Sequence, residues 1–351
     1  PPAEFLNEAA VEEIDGGLAS LADTTRPAPE RLDGFRLRLE AAEALLVRSL
    51  RAQPAQARAV SRLATVRWEL DPPYTDEARR RHLDLIELSS RMAPNVPAVQ
   101  MELGRVLLLM GDRDGALAYL HRAVTISPDL ADPVVSLMGT HLFTAQEMLD
   151  ALPRVPETLV ALREPFEEEG RAGEYLSVLG GILLRTPDFT SLIDTYGSVA
   201  RRAGMAESLI DLLDSLGPRP DPSVEAVRLE QRSLGLTSLE DLRGALGDAR
   251  RARALMPDEP AYGELVGNTA LAAGEAEEAI RAYRDALSLL ARRSSGPWGR
   301  ARLYRKIGQA QEAAGRRHDA YDSYRKALAL VPDEPISLRR VAEMEREAGV
   351  R

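Results

Sequence analysis

The chain has 351 residues, a formal net charge of −10, no cysteine, 44% apolar residues and only 5% aromatic ones. The acidic balance excludes a general nucleic-acid binder, which needs a field of the opposite sign. The missing cysteine excludes disulfides, thiolate chemistry and zinc ribbons. Uninterrupted apolar runs, such as 106–110 and 182–184, fall far short of the roughly 18 residues of a spanning helix.

Few aromatic residues alongside 25 glycines favour closely packed helices over a β-sandwich. Residues 3–23 predict a helix interrupted near Gly16-Gly17, followed by a linker over 24–29. A helix over 30–52 stops before Pro54, and another over 53–70 is ended by Asp71-Pro72-Pro73, where prolines remove donors and restrict the residue before them. Its partner begins near Thr75 and runs to Met92, with Pro94 beyond.

From Pro97 a repeat emerges. Over 97–130 the punctuating residues are Leu103-Gly104, Leu107, Gly111, Ala116, Leu120, Ala123 and Pro128. At the same offsets 301–334 carries Ile307-Gly308, Gln311, Gly315, Ala320, Tyr324, Ala327 and Pro332. A third copy over 260–291 has Val266-Gly267, Ala270, Gly274, Ala279, Tyr283 and Ala286, with Ala291 at the closing position. Weaker units fall over 30–94, 131–155, 156–189, 190–221 and 224–259, and 335–351 repeats the first helix alone. The period breaks twice: 144–153 has room for only a short second helix, and Gly274 to Gly315 spans 41 residues rather than 34.

This pattern resembles the tetratricopeptide repeat family, whose 34-residue unit carries W-x₂-L-G-x₂-Y, then A-x₃-F and a closing proline. The resemblance implies an all-α, right-handed superhelical solenoid of nine to ten antiparallel helix pairs, as one array over 1–351. Gly104, Gly267 and Gly308 are expected to allow close helix approach opposite Ala116, Ala279 and Ala320. Gly111, Gly274 and Gly315 are expected to end the first helices with positive φ.

In that family the first helices line a concave face where peptides or partner helices dock. The corresponding phase selects Arg302, Arg305, Lys306, Gln309 and Glu312, then Ile336, Arg339, Arg340 and Glu343, and Glu264, Asn268 and Leu271. Upstream it selects Ala98, Met101, Arg105 and Leu108, then Val135, Gly139 and Leu142. Residues 292–351 hold 14 basic against 8 acidic side chains, so a net +6 stands against −16 in the rest. A basic groove of this kind would take an acidic segment or a C-terminal carboxylate through Arg forks. Asn268, Arg302 and Lys306 are compatible with part of the family's carboxylate clamp, but Glu264 stands where its first Lys would be. Met101 with Leu108 would instead suit an amphipathic helix.

Little points to chemistry. His82, His121, His141 and His318 lack metal-ligand spacing, and no phosphate loop or nucleophile elbow is present. Gly180-Gly181 falls inside a helical pattern, where it permits packing. No catalysis, cofactor or metal is expected. Only Lys306 and Lys326 among 45 basic residues are lysine, as a GC-rich and bacterial coding bias produces.

The functional expectation is a non-catalytic scaffold that binds a protein or peptide. The alternative, motivated by the Pro1 start and the half unit, is a regulatory or anchoring segment of a larger bacterial envelope or polysaccharide-handling enzyme. Either the cytoplasm or the bacterial periplasm would suit it. Ile336, Leu338 and Val341 on the half unit offer a face for pairing with a second copy.

Overall fold

The computed structural model describes residues 2–25, 27–70, 76–293 and 296–347. The expected stop at Asp71-Pro72-Pro73, the start at Thr75, part of the 292–298 insertion and the last glycine, Gly349, lie outside these residues. The described residues contain no strand, and the chain divides into two compact units, Pro1–Glu169 and Gly170–Arg351.

The first unit begins with the pair α1 (Ala3–Ala22) and α2 (Ala28–Ala52). Contrary to the expected interruption, α1 runs straight through Gly16-Gly17. A Cβ on Gly17 would stand 3.2 Å from the Phe35 ring and 3.3 Å from Cβ of Arg38, so the glycine sets how closely α2 approaches. Next come α3 (Ala57–Leu70) with α4 (Asp76–Met92), and α5 (Pro97–Leu109) with α6 (Arg113–Ile126). Ala10, Leu39, Ala42, Leu46, Ala59, Leu63 and Val66 form the core between the first two pairs. The unit closes with short helices: α7 (Ala131–Thr140), α8 (Ala145–Ala151), α9 (Pro156–Ala161) and α10 (Arg163–Glu168).

The second unit is more regular. It holds α11 (Ala172–Leu183), α12 (Thr190–Arg202) with α13 (Ala206–Leu216), and α14 (Pro222–Ser238) with α15 (Leu242–Leu255). Then follow α16 (Pro260–Ala272) with α17 (Ala276–Arg292), α18 (Pro297–Ala313) with α19 (Arg317–Leu330), and α20 (Pro335–Glu347). Its central core joins Leu229, Leu246, Val266, Ile280, Tyr283, Leu303 and Ile307.

Each pair is punctuated by local chemistry. Proline opens α5, α14, α16 and α18 at a position whose N–H would have no helical partner. Asp112 and Asp241 cap α6 and α15, their carboxylates accepting from the N–H of Gly115 and Gly244 at 3.0 Å. Between helices the chain turns through a left-handed residue: Gly111, Gly170, Gly204, Gly274 and Gly315, but also Leu142 and Glu240. At Gly111, Gly204, Gly274 and Gly315 the next N–H donates back to a carbonyl five residues earlier, at 2.7–2.9 Å. Phe143 and Asp241 do the same after Leu142 and Glu240, at 3.2 and 3.0 Å. This is the Schellman closure.

The glycines of the first helices also work as close-approach points, though not against alanine. A Cβ on Gly104 would lie 2.6 Å from Leu120, with the Ala116 carbonyl next at 3.4 Å, and one on Gly308 would lie 2.8 Å from the Tyr324 ring. The Tyr283 ring crowds Gly267 more closely still. The large side chain therefore lies over the glycine, and Tyr283 and Tyr324 are fully buried there.

Arginines tie neighbouring pairs together. Arg253 meets Asp285 at 2.7 Å, Arg293 meets Glu259 at 3.0 Å, Arg316 meets Glu277 at 2.7 Å and Arg113 meets Glu147 at 3.4 Å. Such exposed pairs contribute about 0–1 kcal/mol each. On α20, Val341 and Met344 pack against Ala320 and Tyr324 of the same chain. Of the apolar face expected to pair with a second copy, only Leu338 is well exposed, at 46%.

Candidate partner-binding faces

In the second unit the first helices α16, α18 and α20 carry the residues selected by sequence. The arrangement centres on Glu264. Its carboxylate meets Arg302 Nη2 at 2.8 Å and Lys306 Nζ at 2.7 Å. Lys306 also donates to Asn268 Oδ1 at 2.7 Å, and the Tyr283 hydroxyl donates to the same oxygen at 2.9 Å. Burial and the nearby Glu264 carboxylate push the Tyr283 phenol up, so it remains a donor. Asn268, Arg302 and Lys306 are thus brought together, but around an internal anion.

The remaining cations divide. Arg305 is turned toward α20, 3.6 Å from Glu334, and both side chains are largely covered, at 18% and 10% exposure. Glu334 also accepts from the Ser337 N–H at 2.7 Å, fastening the start of α20. Arg340 donates to Glu312 from Nε at 3.2 Å and from Nη2 at 2.6 Å, and pairs with Glu343. These hydrogen bonds outweigh burial and raise its pKa, so its charge is fixed. Gln309 is half-buried on α18. Arg339 is exposed and has no partner among the described residues. Cancellation inside the face reduces the basic character that the regional +6 suggested.

Met101, Arg105 and Leu108 belong to the first unit. Leu108 is only 5% exposed and packs in the core, so it offers no surface to a helix. Arg105 closes on Glu102, with Nη2 to Oε1 at 2.9 Å and Nε to Oε2 at 3.2 Å. Burial alone would raise the Glu102 pKa, but hydrogen bonds from Arg105 and Thr65 outweigh it and hold the carboxyl below the usual range. Met101 is half-buried. Leu142, expected on the groove side of a helix, sits instead in the left-handed turn after α7.

Sequence reasoning missed one groove. It measures about 820 Å³ and lies against α1, α3 and α5. It is lined by Glu4, Glu8 and Glu12 of α1, at four-residue spacing, and by Arg58 and Arg62 of α3. Arg62 donates to Asn7 Oδ1 at 2.7 Å. The spacing of the three glutamates was the available signal.

Among the described residues, no group of three or more His, Cys, Asp and Glu could hold a metal, and no helix is long and apolar enough to cross a membrane. His121 serves between helices, its Nδ1 2.8 Å from the Ala151 carbonyl.

Helix hairpins closed by left-handed turns, with a large side chain seated over a first-helix glycine, define a helical-repeat protein. Residues 97–130 match the family model described as Tetratricopeptide repeat. The hairpins over 260–291 and 301–334 carry the same offsets, so the chain holds repeats of the tetratricopeptide type. Repeats of this kind serve as protein-interaction scaffolds and are generally non-catalytic.

Among solved structures, the chain is similar to MamA, at 21% identity over 48% of this chain and 93% of that one, with a TM-score of 0.39. A MamA fragment from Desulfovibrio magneticus RS-1 is 14% identical over 51% and 97%, with a TM-score of 0.40. YrrB, described as a TPR protein with an unusual peptide-binding site, is 13% identical over 72% and 96%, with a TM-score of 0.36. No curated protein sequence matches. The assignment rests on the repeat match and the hairpin geometry.

Proposed function

We propose that the chain is a non-catalytic scaffold that binds an acidic peptide segment or terminal carboxylate on the face formed by α16, α18 and α20. The observation that carries this reading is the Asn268, Arg302 and Lys306 cluster, with exposed Arg339 on the same set of first helices. An arriving carboxylate would exchange with Glu264 on Arg302 and Lys306, so binding is a swap of anions rather than neutralisation of a bare basic groove. Arg339 is the cation that needs no such exchange.

The test reverses Arg305 and Arg339 to Glu and measures binding of a labelled acidic peptide with a free carboxylate by fluorescence anisotropy over a salt series. Affinity should fall about tenfold and its salt dependence should flatten, with helicity unchanged. Equal binding by the double variant and the parent would rule the face out. Capture with mass spectrometry, comparing the same two proteins, then identifies the natural partner.

A further inference from the structure

We propose that the junction where α17 passes into α18 docks on an anionic lipid surface, into which Trp298 inserts while Arg292, Arg300 and Lys326 meet the headgroups. It uses none of Glu264, Asn268, Arg302, Lys306 or Arg339, and it does not depend on the reading above.

The second unit leaves few apolar side chains in water, and they are not spread evenly. Among its described residues six Leu, Phe or Trp side chains are exposed. Four of them, Leu184, Phe189, Leu255 and Trp298, fall where one helix pair passes into the next, whereas only Leu239 stands at a left-handed turn. Neighbouring junctions stand side by side. Arg293, just past α17, donates to the Asp258 carbonyl at 2.7 Å and pairs with Glu259 at 3.0 Å, and Arg219, between α13 and α14, meets Asp188 before α12 at 2.7 Å. Of these junctions the one at Trp298 reaches furthest relative to its neighbour. The helices α17 and α18 have 17 residues each, against 14 in α15 and 13 in α16, an excess of about one turn. The residues added between Gly274 and Gly315 are thus spent on raising this end, and Trp298 stands on its first turn, 62% exposed.

Charge sets the occupant. From Ala286 to Gln311 the chain carries six Arg or Lys and no Asp or Glu. Arg293 is committed to Glu259, but Arg292, exposed in the last turn of α17, has no ion pair or hydrogen bond among the described residues. Nε of Arg300 is covered and unbonded. Lys326, exposed one turn before the end of α19, is unpaired too, and that end lies against the start of α18, where Ala327 and Val331 pack on Ala301. The arginine-to-carboxylate pairing that ties the other pairs together thus stops at the raised end. A protein partner needs a contiguous, close-packed interface core, whereas these apolar side chains stand in ones and twos at separate junctions. A bilayer interface takes up apolar side chains singly, favours Trp among them, and offers phosphate to Arg and Lys at the same depth. The net charge of −10 on the whole chain opposes approach by less basic edges, so docking is oriented.

The test sediments the full chain with vesicles of phosphatidylcholine alone, or of phosphatidylcholine and phosphatidylserine in equal parts, over a salt series. The parent should bind the anionic vesicles at least about tenfold more tightly than the neutral ones and leave them as salt rises. Trp298→Ala, and Arg292→Glu with Lys326→Glu, should each weaken that binding about tenfold. Trp68 is the one other tryptophan, so in a Trp68→Phe background the emission of Trp298 should move to the blue when anionic vesicles are added. Glu264→Gln, which alters the face proposed above, should bind vesicles as the parent does, and this separates the two sites. Because Arg292, Trp298 and Lys326 are exposed, helicity and melting temperature should stay at parental values, and both are measured alongside. A parent that ignores anionic vesicles, or undiminished binding by Trp298→Ala, overturns the proposal. Binding of poly-glutamate through Arg292 and Lys326 without vesicle binding would give this end to an acidic protein and overturn it equally.

Discussion

The two first-helix faces handle charge in opposite ways. On α16 and α18, Glu264 is shared by Arg302 and Lys306 at 2.7–2.8 Å, so a set of residues that looks strongly basic is internally balanced. Along α1 and α3, Glu4, Glu8 and Glu12 line one groove together with Arg58 and Arg62, and no ion pair joins them among the described residues. Regional net charge ranks these faces wrongly, because a field depends on which charges have already met. A paired charge holds the fold, whereas an unpaired one is available to a ligand.

The strongest way to break this comparison is to disturb a pair that is truly buried. Arg228 and Glu225 of α14 meet at 2.8 Å with side chains 6% and 8% exposed, and Arg228 also donates to the Leu213 carbonyl at 3.1 Å. Arg228→Met should cost about 3–5 kcal/mol in urea unfolding, because it strands the Glu225 carboxylate. Burial alone would raise the Glu225 pKa, but hydrogen bonds from Arg228 and the Arg219 N–H outweigh it and hold it low. Its contribution to stability is therefore complete above the ordinary carboxylate value of 4.5 and is lost as pH falls through the depressed folded value. Glu225→Gln should flatten the acid limb of the stability profile; an unchanged limb would show that other groups dominate it.

A smaller effect sharpens the comparison directly. Glu264→Gln frees Arg302 and Lys306 and should raise affinity for an acidic peptide about fivefold, read by the same anisotropy titration. No gain would mean that the internal anion does not limit binding. The smallest change touches what both units share. Leu142 and Glu240 hold φ values of 59° and 62°, where glycine carries no steric cost. Leu142→Gly and Glu240→Gly should each raise stability by about 0.5 kcal/mol, the αL cost less the entropy of added glycine, as seen in thermal melts.

Much of the architecture was legible. Gly111, Gly274 and Gly315 announced the turns, because positive φ restricts residue choice strongly. Leu142 and Glu240 hid two others, because there the closing hydrogen bond holds the conformation without a glycine. The glycines of α5, α16 and α18 were read as close-approach points, but spacing alone could not show that Leu120, Tyr283 and Tyr324 lie over them. The binding faces were less legible. Arg302 and Glu264 are 38 residues apart, so their pairing depends on how α16 and α18 stack. Glu4, Glu8 and Glu12 share a helix face in any reading, but only the placement of α3 and α5 makes that face a groove wall.

The turns carry a further consequence, for the order in which the chain acquires its shape. Six of them are closed by a hydrogen bond spanning five residues, and Gly308 and Tyr324, which meet across one hairpin, are only 16 positions apart in sequence. Contacts of such short range make loop closure inexpensive and folding fast. The hairpins of α16 with α17 and α18 with α19, with a tyrosine seated on glycine, are where refolding should begin, and the short helices α7 to α10 should be among the last to acquire protection from hydrogen exchange.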